Sequence, residues 1–116
     1  MAYREAGADI IFVESPESRD EMEQINQLLQ CPTLANMVEG GRTPFLDAKV
    51  LSALGYRLAI YPNSLTRLFG LQGAKLLANL AETGSTEAFR DQMLDHQGLW
   101  SLFDYPEWTS LEARFT

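Results

Sequence analysis

The chain has 116 residues, of which 46% are hydrophobic, and a formal net charge of −7, which fits one acidic domain with enough apolar residues for a core. The acidic balance argues against a nucleic acid or an anionic membrane surface as a partner. No stretch approaches the roughly 20 apolar residues of a membrane span, and the single cysteine, Cys31, excludes an intrachain disulfide, so we expect a soluble, cytoplasmic protein.

The first nine residues have the pattern of a helix end. They read as the last turns of a helix, a glycine stop at Gly7 and the approach to a strand. Because a domain rarely begins in the final turn of a helix, we expect further sequence upstream.

Three short runs of β-branched or aliphatic residues predict strands at residues 10–14, 33–36 and 56–61. Strands that are apolar at nearly every position are buried on both faces, in a parallel sheet covered by helices. In such folds the chemistry collects at the carboxyl ends of the strands. Glu14 and Asn36 therefore stand where a catalytic or ligand-holding residue is expected.

Helical patterns follow the strands. They cover residues 18–30, 46–54 and 64–82, with a shorter helix at 86–96 and an aromatic tail at 98–115. Ser18 and Glu21 form a capping box at the start of the first helix, and Gly55 and Gly84 stop the second and third. We expect the tail to form one or two short helices interrupted at Pro106, with its aromatic side chains used for packing or for a subunit interface.

The alternation of strand and helix predicts right-handed βαβ units, with three parallel strands in the spatial order of the chain. A closed (β/α)₈ barrel has eight strands and typically about 250 residues. The chain is therefore either a small open three-layer sheet or the last part of a barrel.

Three blocks of sequence stand out by their order and spacing: AGADIIFVESP at residues 6–16, LANMVEGGRTP at 34–44 and IYPNSLTR at 60–67. Together they resemble the isocitrate lyase/phosphoenolpyruvate mutase family, in its oxaloacetate decarboxylase, dimethylmalate lyase and carboxyphosphonoenolpyruvate mutase branch. The resemblance implies an α/β fold, the C-terminal portion of a (β/α)₈ TIM barrel with strands six to eight and the following helices. It implies a partial barrel at 1–84 and C-terminal helices at 85–116, through which subunits would form a homo-oligomer.

The resemblance also implies a reaction class. Such enzymes use Mg²⁺ to cleave or form C–C or P–C bonds next to a carboxylate, through an enolate-like intermediate, and the substrate would be a small 2-oxo or 2-hydroxy di- or tricarboxylate. The metal-holding aspartates of the family have no counterpart in this chain, so we expect no metal ligand here and no activity from the isolated chain. Two alternatives stay open: a non-catalytic truncated remnant or interaction module, and a phosphonomutase acting on P–C bonds.

The first two blocks supply the expected centre of the site. By resemblance, Glu14 is catalytic, near the water shell of the metal, and Asn36 contacts the substrate with Met37 and Val38 beside it. On its residue type alone, Glu14 could instead cap a helix or pair with an arginine. Asn36 could equally be a turn residue, since asparagine tolerates left-handed backbone.

The third block implies a substrate-carboxylate partner in Arg67, with Ile60 and Pro62 in the pocket wall. An exposed salt bridge is the more common fate of an arginine one turn into a helix, although an arginine clamp is a natural carboxylate partner. His96 is the single histidine and lies in the C-terminal helices, so we expect it not to be catalytic.

A flexible loop is predicted at the mouth of the site, where Glu39 and Arg42 flank Gly40 and Gly41. A mutual surface ion pair between Glu39 and Arg42 is one interpretation, and a functional role is the other.

Overall fold

The computed structural model describes residues 2–112, 114 and 115. The chain falls into two compact units, Met1–Gly70 and Leu71–Thr116. The division lies inside a helix and before the domain boundary predicted after residue 84. That boundary concerns the domains of a barrel and stays a prediction.

The first unit is built on three parallel strands in the order β1-β2-β3, namely β1 (Ile11–Phe12), β2 (Thr33–Asn36) and β3 (Leu58–Ile60). In this register Phe12 lies beside Leu34 and Asn36 lies beside Ile60. The Met37 N–H donates to the Ile60 carbonyl at 2.8 Å and extends the pairing by one residue. The predicted parallel arrangement and strand order are confirmed.

Four helices alternate with these strands: α1 (Ala2–Glu5), α2 (Arg19–Leu29), α3 (Ala48–Ala53) and α4 (Ser64–Thr83), the last of which runs into the second unit. The Ser18 Oγ caps α2 by accepting the Glu21 N–H at 3.1 Å, as predicted. The Glu21 carboxylate accepts the Glu17 N–H at 2.7 Å, one residue earlier than in a standard capping box. Gly55 and Gly84 have φ of +99° and +69°, as their predicted role as helix stops requires.

The core of the first unit lies on one face of the sheet. It consists of buried side chains from α2, β2 and α3 and the segments that follow β2 and α3, namely Met22, Ala35, Met37, Leu51, Leu54 and Tyr56. On the opposite face Phe12, Leu58 and Ile60 remain 45%, 43% and 39% exposed. The expectation that the strands are buried on both faces is therefore wrong for this unit, since side chains of one strand alternate between faces and only one face is covered.

A half-buried asparagine, Asn26, links the core elements by hydrogen bonds. The Asn26 Nδ2 donates to the Met22 carbonyl at 3.0 Å and to the Leu54 carbonyl at 2.8 Å, and its Oδ1 accepts the Thr33 hydroxyl. A Cβ added to Gly55 would lie 3.1 Å from the Asn26 Cβ. This network links α2 to β2 and to the end of α3, and so fixes the position of these helices on the sheet.

The second unit is helical after α4, with a 3₁₀ helix (Glu87–Gln92), α5 (His96–Leu102) and α6 (Tyr105–Glu112). The helix predicted at 86–96 is wrong in type and extent, because it ends at Gln92 and His96 begins α5 instead. Pro106 lies in the first turn of α6 and does not interrupt a helix, since the first turn tolerates a missing N–H. The break falls at Asp104, which has φ of +51°.

Large apolar side chains stay exposed in this second unit, among them Leu102 at 68% and Trp108 at 66%. The rings of Trp100 and Tyr105 stack with centroids 5.2 Å apart. The homo-oligomer expected through these helices stays a prediction. In the part of the chain that the structure describes, no helix has the length and apolar character needed to cross a membrane.

Candidate active site at the carboxyl ends of the strands

A cleft of about 170 Å³ opens at the carboxyl ends of β1 and β2. It is lined by the segment that leaves β1, at residues 13–16, and by residues 37, 38 and 41–43 of the loop that leaves β2. The core side chains of Met22, Ala35 and Tyr56 also line it. Ligands of parallel α/β sheets bind at this edge, so the cleft is the candidate site.

Glu14 brings an exposed carboxylate to the cleft. The Ser15 Oγ donates to its Oε1 at 2.7 Å, and the residues that the structure describes form no helix cap or arginine pair with it. Ser15 has φ of +51°, a left-handed conformation that is uncommon for serine and is often found at functional sites. The Glu14 carboxylate is thus open to a proton, a water or a ligand.

Asn36 ends β2 and brings an amide to the same cleft. It is paired with Ile60 in the sheet, so it is a strand residue and not a turn residue. Its Oδ1 is buried and has no hydrogen-bond partner among the described residues. An unpaired buried acceptor costs about 1–3 kcal/mol, which makes this oxygen a candidate acceptor for a ligand donor.

The loop after β2 is fixed by Glu39. The Ser64 Oγ donates to the Glu39 Oε1 at 2.5 Å, and the Arg67 Nη1 donates to the Glu39 carbonyl at 2.8 Å and lies 3.7 Å from its carboxylate. The Ser64 hydroxyl, the Glu39 backbone N–H and the Arg67 charge hold the pKa of Glu39 below its usual range. The ion pair considered between Glu39 and Arg42 is therefore not formed, because Arg67 takes the place of Arg42.

Four of the residues expected at the site line the cleft together, namely Glu14, Asn36, Met37 and Val38. The other three are not among its lining residues. Ile60 lies on the open face of the sheet beside Asn36, Pro62 is exposed between β3 and α4, and Arg67 contacts Glu39. His96 belongs to the second unit and does not line this cleft. The roles assigned to these residues stay predictions.

Among the polar side chains that line the cleft, Ser15, Thr43 and Tyr56 were not anticipated, and Arg42 was noted only for its loop. Thr43 lies inside the second sequence block, which could have pointed to it. Burial raises the pKa of the Tyr56 phenol above its ordinary value of 10.0. Tyr56 precedes β3, at the end of the strand opposite the predicted site, and nothing in the sequence indicates that it lines the cleft.

No family model matches the chain. It is 61% identical to 2,3-dimethylmalate lyase of Eubacterium barkeri over 64 residues, which are 55% of this chain and 22% of that protein. It is 37% identical over 116 residues to the chloroplastic carboxyvinyl-carboxyphosphonate phosphorylmutase of Arabidopsis thaliana, covering 98% of this chain and 34% of that protein. A crystal structure of 2,3-dimethylmalate lyase, described as a PEP mutase/isocitrate lyase superfamily member, matches 99% of this chain and 40% of its own with a TM-score of 0.85 and 29% identity.

A parallel sheet with alternating helices and a polar cleft at its carboxyl edge defines an α/β protein whose structural neighbours are of the TIM-barrel type. The similarity in sequence and structure gives the family: the chain belongs to the isocitrate lyase/phosphoenolpyruvate mutase superfamily, which confirms the resemblance. Its relatives are lyases and mutases. The chain spans 22% and 34% of the length of the two curated relatives described above.

Proposed function

We propose that the chain forms one part of the active site of a carbon–carbon lyase or decarboxylase that acts on small 2-oxo or 2-hydroxy di- or tricarboxylates. The observation that carries this proposal is one cleft lined by both Glu14 and Asn36, whose buried Oδ1 has no hydrogen-bond partner among the described residues. The 61% identity with a 2,3-dimethylmalate lyase favours cleavage of a C–C bond.

Glu14 and Asn36 suit complementary tasks in such a reaction. An exposed carboxylate can accept a proton or orient a water molecule. The Asn36 Nδ2 can donate to a substrate oxygen, and its Oδ1 can accept from a substrate hydroxyl, which would supply the missing donor. Cleavage next to a carboxylate develops negative charge on an enolate-like oxygen, and a fixed amide donor stabilises that charge without reorganising.

The open face of the sheet supports placement within a barrel. Phe12, Leu34 and Leu58 are side by side in the register, and Asn36 and Ile60 form the next row on the same face. In a closed barrel such rows point into the interior and are covered by residues of the other strands. We therefore propose that β1, β2 and β3 are strands six to eight of a (β/α)₈ barrel and that the exposed apolar helices of the second unit join subunits.

The residues of the cleft do not form a magnesium site by themselves. Mg²⁺ needs several oxygen ligands in near-octahedral geometry. Among residues 2–112, 114 and 115, no three His, Cys, Asp or Glu side chains gather in a way that could hold a metal ion, and Glu14 is the only carboxylate of the cleft. The ion implied by the family resemblance would be held by groups that this chain does not contain.

Two other functions are alternatives. The 37% identity with a phosphorylmutase favours a phosphonomutase that rearranges P–C bonds on the same scaffold. A non-catalytic remnant or interaction module is the other alternative, and a cleft whose described residues include one carboxylate, Glu14, is compatible with it.

A hybrid enzyme separates these functions. Residues 1–116 would replace the corresponding segment of Eubacterium barkeri 2,3-dimethylmalate lyase, and we expect the hybrid to cleave 2,3-dimethylmalate. Glu14→Gln, which keeps the shape of the side chain, should lower turnover by about 10²-fold or more, the scale of one lost electrostatic stabiliser. Glu17→Gln is the matched control, because Glu17 is an exposed carboxylate outside the cleft.

The possible outcomes point to different functions. A folded hybrid without lyase activity would contradict the proposal and favour the non-catalytic remnant. Turnover of a phosphonate in place of a malate would favour the mutase. His96→Ala should leave turnover within about a few-fold, since His96 does not line the cleft.

A further inference from the structure

Arg42 is the cationic side chain of the candidate cleft. It lies in the loop after β2 and lines the cleft with Glu14 and Asn36. Among the residues that the structure describes, its side chain forms no hydrogen bond and no ion pair. A guanidinium that lines the cleft without a partner among the described residues is available to a ligand.

The loop that carries Arg42 is held in place from two sides. Glu39 is bound by Ser64 and Arg67, both at the start of α4. The Gly41 N–H donates to the Val38 carbonyl at 3.0 Å, which closes a tight turn immediately before Arg42.

Both positions of this turn favour glycine. Gly40 has φ of +75°, and a Cβ on Gly41 would lie 3.1 Å from the Val38 carbonyl oxygen. Arg42 therefore starts from a pre-organised backbone, which lowers the entropic cost of binding a ligand.

Arg67 is placed differently. Its Nη1 donates to the Glu39 carbonyl at 2.8 Å and lies 3.7 Å from the Glu39 carboxylate, and its side chain does not line the cleft. A guanidinium engaged in this way orients the loop, and its charge is already balanced by Glu39.

We propose that Arg42 is a substrate-binding residue that pairs with a carboxylate of the bound di- or tricarboxylate, and that Arg67 is a positioning residue that holds the Arg42 loop through Glu39. The planar guanidinium matches a carboxylate with two parallel hydrogen bonds. Glu14 repels a dianionic ligand, so a cation in the same cleft is needed to compensate. This inference rests on the proposed function and names the residue that selects its substrate class.

The binding test uses the 116-residue chain labelled with ¹⁵N and titrated with malonate, a minimal dicarboxylate. We expect malonate to shift the Arg42 Nε–H and the Asn36 side-chain amide signals. Arg42→Gln should weaken malonate binding by about tenfold or more, the scale of a lost charge-assisted hydrogen bond. Arg42→Lys should weaken it by less, because lysine keeps the positive charge but cannot donate two parallel hydrogen bonds to one carboxylate. Arg57→Gln is the matched control, because Arg57 is an exposed arginine outside the cleft.

The positioning role has its own readout. Arg67→Gln should increase amide hydrogen exchange across residues 38–43, whereas Arg42→Gln should leave that exchange unchanged. Shifts centred on the Arg67 Nε–H, with unchanged loop exchange in Arg67→Gln, would overturn the assignment and make Arg67 the direct carboxylate partner.

The hybrid lyase separates this inference from the proposed function. In an active hybrid, Arg42→Gln should raise KM for 2,3-dimethylmalate by about tenfold or more, and Arg42→Lys should recover part of the loss. An active hybrid whose KM is unaffected by Arg42→Gln overturns the role of Arg42 and leaves the lyase function intact. If the hybrid is inactive but malonate binding by the 116-residue chain still depends on Arg42, the lyase function is refuted and the carboxylate-binding role of Arg42 is supported.

Discussion

The same substitution at two asparagines should change stability in opposite directions. Asn36→Leu removes a buried Oδ1 that has no hydrogen-bond partner among the described residues, so it should raise the free energy of unfolding by about 1–3 kcal/mol, the cost of an unsatisfied acceptor. Asn26→Leu removes three hydrogen bonds and leaves the Leu54 carbonyl and the Thr33 hydroxyl without their partner. That change should lower the free energy of unfolding by roughly 2–5 kcal/mol.

Urea unfolding followed by far-UV circular dichroism measures both changes. All samples need the same protein concentration, because association would add to the apparent stability. We expect the urea midpoint to rise for Asn36→Leu and to fall for Asn26→Leu, with an unchanged slope. Leucine and asparagine have similar shapes, so the sign of each change reports hydrogen bonding more than packing.

The reasoning is refuted if Asn36→Leu lowers stability by more than about 1 kcal/mol. Such a result would show that the Asn36 Oδ1 accepts a hydrogen bond from water in the folded chain. A ligand would then gain nothing by supplying a donor to this oxygen. In the hybrid lyase, the same variant should lose turnover while gaining stability, the trade-off expected where a polar group is kept for function.

Four further predictions concern the fold and the isolated chain. Gly55→Ala should lower the free energy of unfolding by about 1–2 kcal/mol, because Gly55 has φ of +99° and an added Cβ would lie close to Asn26. Gly7→Ala is the control in the same urea assay: Gly7 has φ of +98° and a Cβ there would have nothing within 4 Å, so this change measures the cost of the backbone conformation alone. The pKa of Glu39 in the folded chain lies below its ordinary value of 4.5. The loop at residues 38–43 should therefore be fully anchored above about pH 4.5 and should lose this anchoring as the pH falls through the lowered pKa. Amide signals of residues 38–43 that do not change with pH in this range would contradict the prediction. The isolated chain should self-associate, because one sheet face leaves Phe12, Leu58 and Ile60 exposed and β1 and β3 are edge strands; sedimentation of a compact monomer with cooperative unfolding would contradict this. The isolated chain should also show no Mg²⁺-dependent lyase activity, and cleavage abolished by a chelator would contradict that expectation.

Local signals predicted most of the first unit correctly. Apolar runs and helix stops indicate three strand–helix units, and Ser18 caps α2 as its sequence suggests. The error in the second unit has a local cause as well. Asp95 caps α5 by accepting the Gly98 N–H at 2.7 Å, whereas Thr86 makes no side-chain cap bond, so the α-helix begins at His96 and not at residue 86.

The sequence by itself determined that the strands are parallel and that Glu14 and Asn36 meet at their carboxyl ends, because side-chain periodicity and short crossovers leave few other arrangements. Only the tertiary structure decided which arginine lines the cleft. Arg67 contacts Glu39, 28 residues away along the chain, whereas Arg42 lines the cleft and has no partner among the described residues. The partner of a long charged side chain is the group that the fold brings close to it in space. Whether a buried oxygen has a hydrogen-bond donor likewise depends on the residues packed around it, so local sequence predicts neither property.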